Sequence, residues 1–301
     1  MKIKANGIEI EVEDTGARPG EDRPVVLLIM GLGMQLVAWP PAMVRGLVDA
    51  GYRVVRHDNR DIGLSQHFDH LGPPNLVWTM IKYKLRASIR PPYSLSDMAS
   101  DAVGVLDALG VAKAHVVGVS MGGMIAQRMA IAAPQRLHSL TSIMSSSGAR
   151  GLPEATPKVR RVLLGRPASE TPEDIVAHYV HLYKTIGSPA YPIPEREMKT
   201  RILASLKRSF HPHGTMRQMV SIVADTHLRA QALEAVRVPT LVLHGRADPL
   251  VPYACGEDTA RRIAGAQMVG IEGMGHDLAP GVVERLMPPL KAFLAAQDTV
   301  P

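Results

Sequence analysis

Six short apolar runs without polar alternation, at residues 25–30, 54–57, 115–119, 140–144, 240–243 and 267–271, constrain this chain more than any other feature. Each is too short for an ordinary helix, and each suits a strand buried on both faces. Helix-like segments, such as 41–50 and 121–133, separate most of them, and strands alternating with helices imply a mostly parallel sheet covered on both sides. Ahead of the runs, Ile3 and Ala5, then Ile8, Ile10 and Val12, alternate with polar residues around Asn6-Gly7, a pair suited to a two-residue hairpin. The expected fold is therefore α/β, with an eight-stranded sheet that opens on antiparallel strands.

Two stretches break the rhythm. Residues 66–94 carry Pro73-Pro74 and Pro91-Pro92 on either side of a predicted helix at 76–87, and residues 147–231 show helical patterns without a strand. In the second stretch Thr171 caps a helix with Pro172 at its first position, running to about 185, and further helices are expected at 195–210 and 215–225. These patterns divide the chain into a core, 1–146 with 232–301, and an inserted helical cap, 147–231, with a further insertion near 66–94.

Several classes are excluded by composition. Lys and Arg exceed Asp and Glu by 34 − 28 = 6, but the excess is scattered, and only 4% of residues are aromatic, so no nucleic-acid partner is expected. The first sixteen residues contain no apolar signal core, and the longest apolar stretches fall far short of the roughly 20 residues of a membrane span. A cytoplasmic protein without a membrane partner is the expectation. Cys255 stands alone, reads as a small buried side chain, and can form no internal disulfide. No apolar stripe singles itself out as a subunit interface.

Gly118-Val119-Ser120-Met121-Gly122 has glycines two positions either side of a serine, at the junction between an apolar run and a helix. A serine on such a sharp turn stands clear of its backbone, and the glycines let strand and helix approach closely. Serine at its ordinary acidity is a poor nucleophile, so this turn calls for a base and an orienting acid later in the chain, in the order Ser, Asp or Glu, His. Asp248 follows the run ending at 243, and His276 follows the run ending at 271 within Gly273-Met274-Gly275-His276-Asp277. Singly, Asp248 reads as a turn residue before Pro249 and His276 as one of twelve histidines; their shared order and strand-end placement make Ser120, Asp248 and His276 the candidate catalytic set, with Asp277 the rival acid. The N–H of Met121, next to the nucleophile, is a candidate oxyanion donor.

With these motifs the chain resembles the α/β-hydrolase-fold enzymes from about residue 24 to 294. Met30-Gly31-Leu32-Gly33 with Trp39-Pro40, and Asp58-Asn59-Arg60-Asp61-Ile62-Gly63-Leu64-Ser65, resemble the branch of aclacinomycin methylesterases and related bacterial esterases. The resemblance implies a second oxyanion donor at the N–H of Leu32, although Met30 replaces the histidine usual in that turn, and it places Gly31, Gly33 and Trp39 against substrate or just below it. Asp58 to Ser65 reads as a turn held by pairing of Arg60 with Asp61. His211, His213 and His227 are candidates to line the acyl site. His211-Pro212-His213 lacks a third metal ligand at recognisable spacing, so no metal is assigned.

The expected activity is hydrolysis of small-molecule carboxylic esters through an acyl-enzyme, without cofactor. The aspartate that haloalkane dehalogenases and epoxide hydrolases carry at the elbow is absent here. Perhydrolases, lactonases, amidases and carbon–carbon bond hydrolases share the serine. A non-catalytic receptor on the same fold would show ligand-dependent stabilisation without turnover.

Overall fold

Asn6 and Gly7 turn the chain between β1 (Lys2–Ala5) and β2 (Ile8–Asp14) with φ of 48° and 80°. Both values lie in the left-handed region that this two-residue hairpin requires, where glycine meets no Cβ penalty. The computed structural model describes residues 1–16 and 23–298. The expected core, 1–146 with 232–301, takes in residues 17–22 and 299–301, which lie outside the described residues.

From β3 (Val25–Ile29) the chain continues through α1 (Pro41–Asp49), β4 (Arg53–His57), α2 (Leu76–Lys84), α3 (Leu95–Ala108), β5 (Ala114–Val119), α4 (Met121–Ala132) and β6 (Leu137–Ile143). Five helices follow without an intervening strand: α5 (Pro157–Leu163), α6 (Pro172–Ile186), α7 (Glu195–Arg208), α8 (Pro212–Asp225) and α9 (Arg229–Ala232). The chain then returns through β7 (Thr240–Gly245), α10 (Tyr253–Arg262), β8 (Gln267–Ile271) and α11 (Pro280–Asp298).

The eight strands lie in the order β1-β2-β4-β3-β5-β6-β7-β8. β2 is antiparallel to β1 and to β4, and the remaining neighbours are parallel. Successive side chains of a strand point to opposite faces. Leu27, Ile29 and Val116 therefore pack with Val105, Leu106, Ile125 and Met129 of α3 and α4. Val26, Leu28, Val117 and Val119 pack with Met43 and Leu47 of α1 and Leu286, Leu290 and Leu294 of α11. Two apolar layers explain why these strands show no polar alternation; each such side chain contributes about 1.5–3 kcal/mol on burial.

Helix ends depart from the sequence pattern where local chemistry intervenes. Thr171 does cap α6, its hydroxyl accepting the Asp174 N–H. α2 stops at Lys84 and not at 87, because Arg86 takes φ of 56° and the N–H groups of Arg86 and Ala87 turn back to the carbonyls of Tyr83 and Lys82. α8 starts at Pro212 and not at 215, since a proline at the first helical position sacrifices no intrahelical hydrogen bond. The expected pairing of Arg60 with Asp61 is also wrong. Arg60 reaches Asp101 of α3 at 2.5 and 2.7 Å, and Asp61 takes Arg217 of α8, because adjacent turn residues point apart while each buried charge needs a partner from a packed helix.

No helix among the described residues is long and apolar enough to cross a membrane.

Candidate active site

Ser120 sits between β5 and α4 with φ of 55° and ψ of −118°, a conformation that costs a non-glycine residue strain. The surroundings hold it there. Its N–H donates to Ile143 O at 2.9 Å and its carbonyl accepts the Ser145 hydroxyl at 2.7 Å. A Cβ on Gly122 would lie 2.0 Å from Ile29 O, and one on Gly118 2.2 Å from Gly122 O, so only glycine permits this approach of helix to strand.

Asp248 and His276 emerge from the carboxyl ends of β7 and β8. The structure brings both to Ser120: His276 Nδ1 lies 2.7 Å from Asp248 Oδ2, and His276 Nε2 lies 3.0 Å from Ser120 Oγ. Burial works to raise the Asp248 carboxyl, but electrostatic attraction and hydrogen bonding from the facing His276 and His244 rings hold it well below the usual carboxylate range. Its Oδ1 also accepts the N–H groups of Leu250 and Val251 at 2.9 and 2.8 Å. An ionised carboxylate only accepts, so His276 Nδ1 carries the proton toward Asp248, which leaves Nε2 of the neutral ring to accept from the Ser120 hydroxyl.

Asp277, the rival acid, is occupied elsewhere. It accepts the N–H and hydroxyl of Ser188 at 3.0 and 2.5 Å, while the Ser188 hydroxyl accepts the Gly275 N–H at 2.8 Å. The His276 N–H donates to Ile186 O at 2.7 Å, so the histidine loop is fastened to the end of α6.

Met121 opens α4, and the first N–H groups of a helix have no intrahelical acceptor. Gly31 lies against Ser120, where a Cβ would sit 3.3 Å from the serine Cβ, and Leu32 follows it. The Gly33 N–H donates to Gln218 Oε1 of α8 at 3.0 Å, and Gln218 Nε2 donates to Arg60 O at 2.9 Å. Arg208 at the end of α7 bonds Asp58 at 2.6 Å and Gln35 at 2.7 Å. Trp39 is fully buried in the layer that holds Met30 and Met43, below the turn.

The three histidines of the inserted segment have these surroundings. His211 stacks on His67 at 3.9 Å and approaches Asp61 and Asp69; His227 stacks on Tyr83 at 5.7 Å; His213 is exposed. His67, Asp69 and His211 do bring ligand atoms within 4.8 Å of one another. The stacked rings are only 11° from parallel, so their in-plane lone pairs do not converge, and an Arg217 nitrogen 3.0 Å from His211 Nε2 repels a cation. Cys255 is buried, and burial pushes its thiol up to about 11.

Gln218, Arg208 and Ser188 escape sequence reasoning. One signal does exist for the first: Gly214, Arg217, Gln218, Ser221 and Asp225 recur at helical spacing and are all buried, a polar stripe facing the core loops.

Comparison with known proteins identifies the family and the fold. The model for the alpha/beta hydrolase fold matches residues 24–279. Rhodomycin D methylesterase DnrP of Streptomyces peucetius is 30% identical over 308 residues, covering 96% of this chain and 95% of that protein. Putative carbamate hydrolase RutD of Caulobacter segnis is 30% identical over 261 residues, 86% of each. Among solved structures, an esterase from Exiguobacterium antarcticum superposes with a TM-score of 0.73 at 22% identity, over 98% of each chain. The enol-lactonase of Burkholderia xenovorans LB400 gives 0.68 at 21%, over 98% of this chain and 100% of its own.

Proposed function

The chain belongs to the alpha/beta hydrolase fold family, and from that premise we propose that it is a serine carboxylesterase whose catalytic residues are Ser120, His276 and Asp248. The observation that carries the reading is the unbroken relay of 3.0 and 2.7 Å from a strained serine through imidazole to an ionised carboxylate.

Ser120 Oγ attacks the ester carbonyl carbon while His276 Nε2 takes its proton; Asp248 stabilises the imidazolium. The N–H groups of Leu32 and Met121 receive the oxyanion. Collapse of the tetrahedral adduct breaks the bond to the alcohol oxygen, which leaves with the proton from Nε2. Water, deprotonated by the same nitrogen, then attacks the acyl-enzyme and releases the acid. The helices α5 to α9 form the cap over the site, with Gly31, Gly33 and Trp39 shaping or supporting the pocket floor. The name of the methylesterase relative makes methyl esters the first substrates to try, beside short acyl esters.

The test is a panel of chromogenic and methyl esters given to wild type and to Asp248→Asn. The asparagine retains the shape but not the charge, and it favours the wrong imidazole tautomer, so kcat should fall by about 10⁴ with little change in KM. Wild-type turnover that Asp248→Asn leaves within a few-fold would remove Asp248 from the mechanism.

A further inference from the structure

α2 is inside out. Its inward side is Thr79, whose hydroxyl bonds Asn75 O at 2.9 Å, and Tyr83, which stacks on His227. Its outward side carries Val77, Trp78 and Ile81, with Leu85 just beyond, exposed by 72%, 54%, 40% and 72%. An ordinary surface helix presents the opposite polarity. Asn75 caps the helix by accepting the Trp78 N–H at 2.9 Å, and Arg86 closes its other end, while buried Thr79 and the Tyr83–His227 stack set which side faces inward.

The charge along this segment of the chain has one sign. From Gly72 to Ser96 there is no Asp or Glu, while Lys82, Lys84, Arg86 and Arg90 all fall within the stretch. Lys82 Nζ lies 5.8 Å from the centre of the Trp78 ring, which places a cation at the rim of the apolar patch. Glu154, the acid that acts on Tyr83, is itself paired with Arg160.

We propose that α2 docks the protein onto an anionic lipid surface, with Val77, Trp78, Ile81 and Leu85 inserted among the acyl chains and the four cations at the headgroups. Aliphatic side chains beside a tryptophan, rimmed by long cationic side chains, match the layering of a bilayer interface, where the ring sits at headgroup level and lysine stems reach back to water. The expectation of no membrane partner came from the lack of a spanning segment, and an in-plane helix attaches without one. A second copy of this chain would bring four like charges against four, which a bilayer bearing phosphatidylglycerol does not. α2 packs on α8, so docking sets the inserted helices beside the membrane.

Two vesicle preparations test this with the intact protein: phosphatidylcholine alone, and an equimolar mixture with phosphatidylglycerol. Trp39 is buried and Trp78 exposed, so a vesicle-induced blue shift of tryptophan emission reports Trp78. The expected result is a shift and co-sedimentation with the anionic vesicles, at least about tenfold stronger than with the neutral ones, because each cation near the surface is drawn to anionic headgroups. Binding should weaken as salt is raised from about 0.1 to 1 M and the screening length contracts from about 10 to 3 Å. Ile81→Ser/Leu85→Ser should abolish insertion, and Lys82→Gln/Lys84→Gln should weaken the preference for anionic lipid at least several-fold; all four positions lie outside the Ser120 relay, so ester turnover should be unchanged. No binding to either vesicle overturns the proposal. So does a concentration-dependent dimer that Ile81→Ser/Leu85→Ser dissociates, which would assign the face to a second copy.

Discussion

Ser120→Ala is expected to lower kcat/KM on every ester the wild type hydrolyses by at least about 10⁴-fold, with the unfolding midpoint nearly unchanged. The two effects separate because the elbow is held by backbone groups. The N–H bond to Ile143 O and the carbonyl bond from Ser145 survive the substitution, and alanine meets the same strain at a φ of 55°. Only the Oγ bonded to His276 at 3.0 Å is lost. Any residual rate would come from the oxyanion donors and binding, with water in place of the hydroxyl. A fall below tenfold would mean that the nucleophile lies elsewhere; a fall accompanied by unfolding would make the loss structural.

Arg217→Met should cost about 3–5 kcal/mol of unfolding free energy, read by urea titration. The guanidinium is fully buried and bonds Asp61 twice, at 2.5 and 2.8 Å, and Gly72 O at 2.9 Å. Asp61 is equally buried and also accepts the Phe68 N–H and the Tyr93 hydroxyl. Burial works to raise the Asp61 carboxyl, but the bonds from Arg217, Phe68 and Tyr93 outweigh it and hold it below its ordinary value. A depressed folded value stabilises above the unfolded carboxylate range, near pH 4, and that contribution is lost as pH falls through the folded value. Without Arg217 burial prevails, the carboxyl rises, and the variant should gain stability relative to wild type on acidification. Asp61→Asn/Arg217→Met should recover part of the loss, because it leaves no buried charge. A single-variant cost below about 1 kcal/mol would contradict this account of the joint between α8 and the core.

The sheet was legible because both of its faces are buried. Residues 25–29 need apolar side chains at every position, and the Asn6-Gly7 turn declares the hairpin in two residues. Ser120, Asp248 and His276 were legible for a related reason, since each follows a strand end and local chemistry marks the place: glycines at the elbow, Pro249 after Asp248, Gly275 before His276. The partners of Arg60 and Asp61 were not. Asp101 and Arg217 are 41 and 156 residues away in sequence from Arg60 and Asp61, and nothing local to a charged pair in a turn says which helix will pack on it. Gln218 and Ser188 fail for the same reason: each acts by reaching a loop of another element, which only the packed chain defines. The exposed apolar side of α2 was hidden in another way. Apolar residues in a helical pattern read as core, and only the fold shows that this side faces outward.

The most direct test of the central claim is mass spectrometry of the intact protein, quenched within its first turnovers on an activated ester, followed by peptide mapping. The account predicts one acyl adduct, on the peptide bearing Ser120, absent from Ser120→Ala and formed far more slowly in His276→Gln, which lacks the base for acylation and deacylation alike. An adduct on another residue, or ester hydrolysis by wild type with no covalent intermediate under any quench time, would contradict it.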